Sequence, residues 1–108
     1  MVIKWSPLAI QSLEEVYDFY LAQADATIAH RIITEIRQET RYLLIFPTIG
    51  SVHEQNGKAT MYRYVIKHHH KILYTIKKDC ILIAYVWDTR RDPKTLAKIL
   101  KQQINKEV

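Results

Sequence analysis

Apolar residues in the first half of the chain recur at helical spacing. Val2-Ile3-Lys4-Trp5 is a short strand candidate, after which Ser6 stands before Pro7, the order of an N-cap and a first-turn proline. Ala9, Leu13, Val16, Tyr17, Tyr20 and Ala24 follow at three- and four-residue steps, which predicts an amphipathic helix. Asp25 and Thr27 supply caps for a second helix whose inner face is Ala29, Ile32, Ile33, Ile36 and Leu43. Phe46-Pro47 ends it, because a residue before proline is pushed out of the helical region. Two helices joined this closely predict an antiparallel hairpin.

The period then changes. Both glycines, Gly50 and Gly57, lie between Pro47 and Lys58, a stretch that reads as one long loop with Asn56-Gly57 as a turn. Beyond it Tyr62, Tyr64 and Ile66 alternate with Arg63, Val65 and Lys67, the two-residue repeat of a strand. Ile72, Tyr74 and Ile76 alternate with Leu73, Thr75 and Lys77 in the next strand. Residues 81–87 are apolar on both faces, as in a strand covered on both sides. After Pro93, a short helix from Thr95 to Ile104 carries Leu96, Ile99, Leu100 and Ile104. The expected fold is α+β: a mostly antiparallel four-stranded sheet, a helical hairpin on one face, and a short C-terminal helix. Tyr62, Tyr64, Tyr74 and Tyr85 are expected mostly as core facing the hairpin.

At 108 residues the chain suits one domain over 1–108, and with 48% apolar residues it has material for a core. One cysteine, Cys80, allows no internal disulfide and suits a reducing cytoplasm. The N-terminus lacks the pattern of a secretory signal, and the longest apolar run, Ile81 to Trp87, is too short to span a bilayer. A soluble cytoplasmic protein without a membrane partner is expected.

Charge narrows the partners. The formal net charge is +5, and from Lys58 to Lys78 there are six lysines or arginines and no acid. The first helix is the reverse, with Glu14, Glu15 and Asp18 and no basic residue. Such polarity steers a molecule towards RNA, DNA or an acidic protein segment.

Four pieces of the sequence resemble the RelE/ParE toxin family. They are Trp5-Ser6-Pro7 with Ala9 and Leu13-Glu14-Glu15-Val16-Tyr17; Leu43-Leu44 through Phe46-Pro47 and Gly50; Tyr62-Arg63 with Ile72-Leu73-Tyr74; and Val86 with Thr89-Arg90-Arg91-Asp92-Pro93. The resemblance implies the toxin of a bacterial type II toxin–antitoxin pair, a growth inhibitor neutralised by a cognate antitoxin in a hetero-oligomer. RelE-like members cut messenger RNA on the ribosome; ParE-like members inhibit DNA gyrase. A third outcome is a non-toxic relative that keeps the scaffold as a binding module.

Metal-free RNA cleavage needs a base, cations at the phosphate and a proton donor for the leaving oxygen. Carried over from RelE-like enzymes, those roles would fall to Arg63, Lys71, and Arg90 or Arg91, without cofactor or metal. Two departures oppose this: Val65 replaces a second basic residue, and the region of Lys94 to Leu96 offers no terminal tyrosine. The ParE-like branch is therefore favoured, with Arg63, Lys67, Lys71, Arg90 and Arg91 as contacts to gyrase or its DNA. Arg90-Arg91-Asp92 would grip a phosphate or pair with acids on the hairpin. Ile10, Leu21 and Ile28, on the outer side of the helices, are candidates for the antitoxin groove.

His68-His69-His70 raises a metal site, since His68 and His70 would share one face of a strand. No third or fourth ligand is evident, His30 and His53 being in distant segments, and a tight junction between two strands is preferred. A histidine of this run is also a candidate for the missing acid or base.

Overall fold

The computed structural model describes residues 1–107, with side chains through Gln102. Its elements are β1 (Val2–Trp5), α1 (Pro7–Gln23), α2 (Ala26–Tyr42), β2 (Ser51–Gln55), β3 (Lys58–Lys67), β4 (His70–Ile76), β5 (Cys80–Asp88) and α3 (Pro93–Glu107). One sheet runs β1-β5-β4-β3-β2; β1 is parallel to β5 and the other pairs are antiparallel. The α+β class, the mostly antiparallel sheet and the helical hairpin are as expected.

The strand count is corrected from four to five. Part of the presumed long loop is β2, which pairs with β3 through Gln55↔Lys58. Asn56 (φ 53) and Gly57 (φ 74) close this two-residue hairpin in the left-handed region, which Gly and Asn reach most easily. Ser51-Val52-His53-Glu54-Gln55 lacks a run of alternating β-branched residues, so the chemistry of the turn was its one clear strand signal.

The expected cap residues start the helices. Ser6 Oγ accepts from Ala9 N at 3.0 Å, and Asp25 Oδ1 accepts from Ile28 N at 2.9 Å. The hairpin covers one sheet face: Ala9, Leu13 and Val16 of α1 and Ile32 and Ile36 of α2 pack on Ile72, Tyr74, Ile81, Ile83 and Val86. On the opposite face Leu96 and Leu100 of α3 pack on Tyr62, Leu73, Ala84, Tyr85 and Trp87. This explains a β5 that is apolar on both sides. Tyr62, Tyr74 and Tyr85 are core residues, but only Tyr74 faces the hairpin; Tyr62 and Tyr85 lie under α3. The side chain of Ile104 lies outside the described residues.

A bulge sits in β5, where Leu73 pairs with Tyr85 and Tyr74 with Ile83, leaving Ala84 as the extra residue. Two serines of the first helix region take up its polar groups. Ser6 Oγ donates to Ala84 O at 3.1 Å, and Ser12 Oγ accepts from Val86 N at 3.0 Å while donating to Ala9 O at 2.7 Å. The bulge is thereby satisfied inside the core.

Candidate functional site

Alternation along β3 and β4 sends the basic residues to opposite faces. Arg63 pairs with Tyr74 and Lys67 with His70, on the hairpin side; Ile66 pairs with Lys71, on the α3 side. There is consequently no single basic sheet face.

The hairpin-side cations are already engaged. Arg63 Nη1 donates to Gly50 O at 2.8 Å and to Thr48 O at 3.4 Å, fixing the exit from α2. Tyr74 Oη completes that anchor, donating to Pro47 O at 2.7 Å and accepting from Gly50 N at 3.0 Å. Lys67 Nζ lies 3.7 Å from Glu39. Arg90 forks onto Asp88, with Nε at 3.0 Å from Oδ1 and Nη2 at 2.8 Å from Oδ2. That pairing holds the Asp88 carboxyl down at about 2.

The three consecutive histidines divide as well. His68 and His69 form the two-residue turn between β3 and β4, with His68 at φ 57 and its ring bonded to Glu35. His70 is buried, edge-on to Tyr20, and burial pushes its pKa below 6.5 against the pull of Asp88. Among the described residues no group of three His, Cys, Asp or Glu side chains is placed to hold a metal ion.

On the α3 side Lys71 and Arg91 line one cleft of about 390 Å³, between the β2–β3 hairpin and the start of α3. His53, Glu54, Asn56, Trp87, Thr89 and Lys94 line it too. Lys71 Nζ donates to His53 Nδ1 at 3.0 Å and stands 4.0 Å above the Tyr64 ring. The Arg91 guanidinium stacks 4.3 Å over Trp87. His53 is only 6% exposed; burial, and then the charge of Lys71, lower its pKa. Burial also lowers that of Lys71. Because Nδ1 accepts the lysine proton, the ring hydrogen of neutral His53 is on Nε2, which finds no partner among the described residues.

Sequence reasoning placed Lys71 and Arg91 among the candidates but missed His53, Tyr64 and Trp87 as their partners. The available signal was Asn56-Gly57: read as a hairpin turn, it folds residues 51–55 back on β3 and brings His53 to the sheet.

A second concavity, of about 690 Å³, lies where α1, α2 and β1 meet. Ile10, Leu13, Tyr17 and Ile33 form its apolar wall, and Glu14, Asp18, His30 and Arg37 its polar rim. Leu21 is exposed and follows Ile10 and Tyr17 on one stripe of α1 by helical spacing. Ile28 is half-buried and packs on the hairpin core.

The model of the ParE toxin of type II toxin–antitoxin systems, parDE, matches residues 3–93. This chain belongs to the ParE toxin family. The match takes in both helices, all five strands and the basic turn, and stops where α3 begins. Among solved structures, the chromosomal ParDE toxin–antitoxin system from P. aeruginosa matches at a TM-score of 0.71 and 17% identity, covering 83% of this chain and 97% of that one. The YoeB dimer from Staphylococcus aureus matches at a TM-score of 0.52 and 22% identity, covering 79% and 92%. Both likenesses are of fold. The curated proteins give no sequence match. Among the described residues no helix is long and apolar enough to cross a membrane.

Proposed function

We propose that this ParE-family chain is the toxin of a type II toxin–antitoxin pair that arrests growth in the cytoplasm by inhibiting DNA gyrase. The observation that carries the choice of target is the dispersal of the cations. Arg63, Lys67 and Arg90 are each committed to groups within the chain, and they lie apart from Lys71 and Arg91. RelE-like cleavage, as carried over, would use Arg63 together with Lys71 and the arginine after the last strand, and Arg63 lies on the other sheet face from Lys71; inhibition by binding needs no such convergence. The cognate antitoxin lays an amphipathic segment in the groove beside Ile10 and Tyr17, continuing along α1 to Leu21 and past Ile28.

One observation favours ribosome-dependent cleavage of messenger RNA instead. The His53–Lys71 pair, with the Tyr64 phenol beside it, has depressed pKa values in a cleft, where acid–base groups are commonly found. Mapping new RNA 5′ ends shortly after induction separates the two readings. Growth arrest with an unchanged map, together with lost supercoiling by purified gyrase, is the expected result. Cuts within translated codons that vanish in Lys71→Ala would replace gyrase with the ribosome. Normal growth on induction would make the chain a non-toxic relative. Relief of arrest by the neighbouring reading frame would identify the antitoxin.

A further inference from the structure

Asn56 and Gly57 form the tip of the β2–β3 hairpin. The ladder closes behind them through Gln55↔Lys58 and Glu54↔Ala59, and a register shift between Val52 and Glu54 separates these pairs from the rest of β2. β2 is also the outermost strand of the sheet. The tip can therefore open locally while the core stays folded. Both turn residues are exposed, and among the described residues nothing lies within 4 Å of where a Cβ on Gly57 would stand. A residue without a side chain leaves its backbone nitrogen open to the asparagine before it. Asn56 also lines the α3-side cleft together with the cations Lys71, Arg91 and Lys94. Their field helps a backbone N–H to lose its proton and favours a carboxylate in place of an amide.

We propose that Asn56 is a self-modification site, converted by its own chain and water to isoaspartate, and that the conversion unlatches β2 from the cleft. When the tip opens, the Gly57 nitrogen attacks Asn56 Cγ. The N–Cγ bond forms, the Cγ–Nδ2 bond breaks, and the side-chain amide leaves as ammonia, carrying the proton of the Gly57 N–H. Water then opens the resulting succinimide ring at either carbonyl and leaves one new carboxylate; no oxidant or reductant takes part. Opening at the Asn56 backbone carbonyl reroutes the main chain through Cβ and Cγ and lengthens it by a methylene. A two-residue turn keeps its strands in register only at its native length, so the longer turn draws Glu54 and Gln55 out of their pairs. His53 is the next residue along, and its bond to Lys71 Nζ at 3.0 Å is the contact that is lost. The new carboxylate joins Glu54 against the cations of the lining. An aged chain thus carries a looser and less positive cleft than a new one, whatever the target of the toxin.

The test is incubation of the full chain at neutral and at mildly alkaline pH, followed by mass spectrometry of the proteolytic segment that holds Asn56. Methylation by an isoaspartyl carboxyl methyltransferase distinguishes isoaspartate from aspartate in the product. Asn105, which precedes Lys106 instead of a glycine, is the internal control. Asn56 is expected to lose its amide while Asn105 keeps its own, faster at the higher pH, with isoaspartate formed. In step with that loss, the NMR titration of His53 should move from its lowered value up towards 6.5, as burial and the charge of Lys71 cease to act on the ring. Asn56→Gln, whose longer side chain must close a larger ring, should retain both its amide and the lowered titration. If that variant fails to fold, the comparison of Asn56 with Asn105 in the unsubstituted chain decides alone. Two results overturn the proposal: Asn56 converting no faster than Asn105, or full conversion with the His53 titration unmoved. Neither measurement contains gyrase or ribosomes, so a failed gyrase reading leaves the proposal standing.

Discussion

A Cβ at Gly50 would lie 2.5 Å from Tyr74 Oη and 2.7 Å from Tyr64 O, inside the anchor that joins α2 to β2. Gly50→Ala must therefore displace the phenol or the strand, and a loss of about 1–3 kcal/mol is expected in chemical denaturation. An unaltered midpoint would show that the anchor yields freely. Burial gives His53 and His70 a shared pH signature, since it is the largest influence lowering both below 6.5. The unfolded chain then binds protons that the folded one refuses, so stability is full above about pH 6.5 and declines as pH falls towards the folded pKa values. Melting temperature should drop between about pH 7 and 5, less steeply in His53→Gln; a flat profile would mean that both rings take up protons as readily in the folded protein as in the unfolded chain. Asp88 acts in a separate, lower window, its contribution being lost as pH falls from 3.8 through about 2. At this scale the sequence revealed which cations were present but not what they touched. Alternation put Arg63 and Lys71 on opposite faces only once the β3–β4 register was known; a tight junction at the three histidines was expected and is found, but which two of them make the turn was not marked.

The elements themselves were largely legible. Ser6-Pro7 and Asp25 marked both helix starts, Phe46-Pro47 came just past the end of the second helix, and the double-sided apolar run of β5 required cover on two faces. β2 escaped because an edge strand with one buried residue, His53, needs no apolar alternation. The β5 bulge escaped because continuous apolarity hides a change of phase: Ile83 and Val86 face the hairpin, while Ala84 and Tyr85 together face α3. Ser12, on the apolar face of α1, was the trace of that bulge. Ser12→Ala would strand the buried Val86 N–H and should cost about 1–3 kcal/mol in thermal or chemical unfolding. A negligible change would require another acceptor to move in.

For the molecule as a whole, the hairpin and α3 sandwich the sheet and separate two concavities. The groove rimmed by Glu14, Asp18, His30 and Arg37 lies on the hairpin side and the cation-bearing cleft on the α3 side. The run of cations from Lys58 to Lys78 suggested polarity, and strand alternation spreads that run over both sheet faces, which the sequence alone does not sort. Ile10 is about half exposed, at 49%, so Ile10→Asp should spare the fold while weakening antitoxin binding about tenfold or more by isothermal titration. Full affinity in that variant would move the antitoxin to another surface. The pairing of β1 with β5 has a further consequence, in time. Val2 meets Cys80 and Trp5 meets Ile83, so the first strand made has no neighbour until the last is translated. Closure of so long a loop is slow compared with local helix formation. A nascent chain can therefore form the local turns of its helices well before the sheet that covers them is complete. Whatever the surfaces of that sheet do, they exist only after residue 88 has left the ribosome, so the order of synthesis alone separates the making of the chain from the making of its sheet.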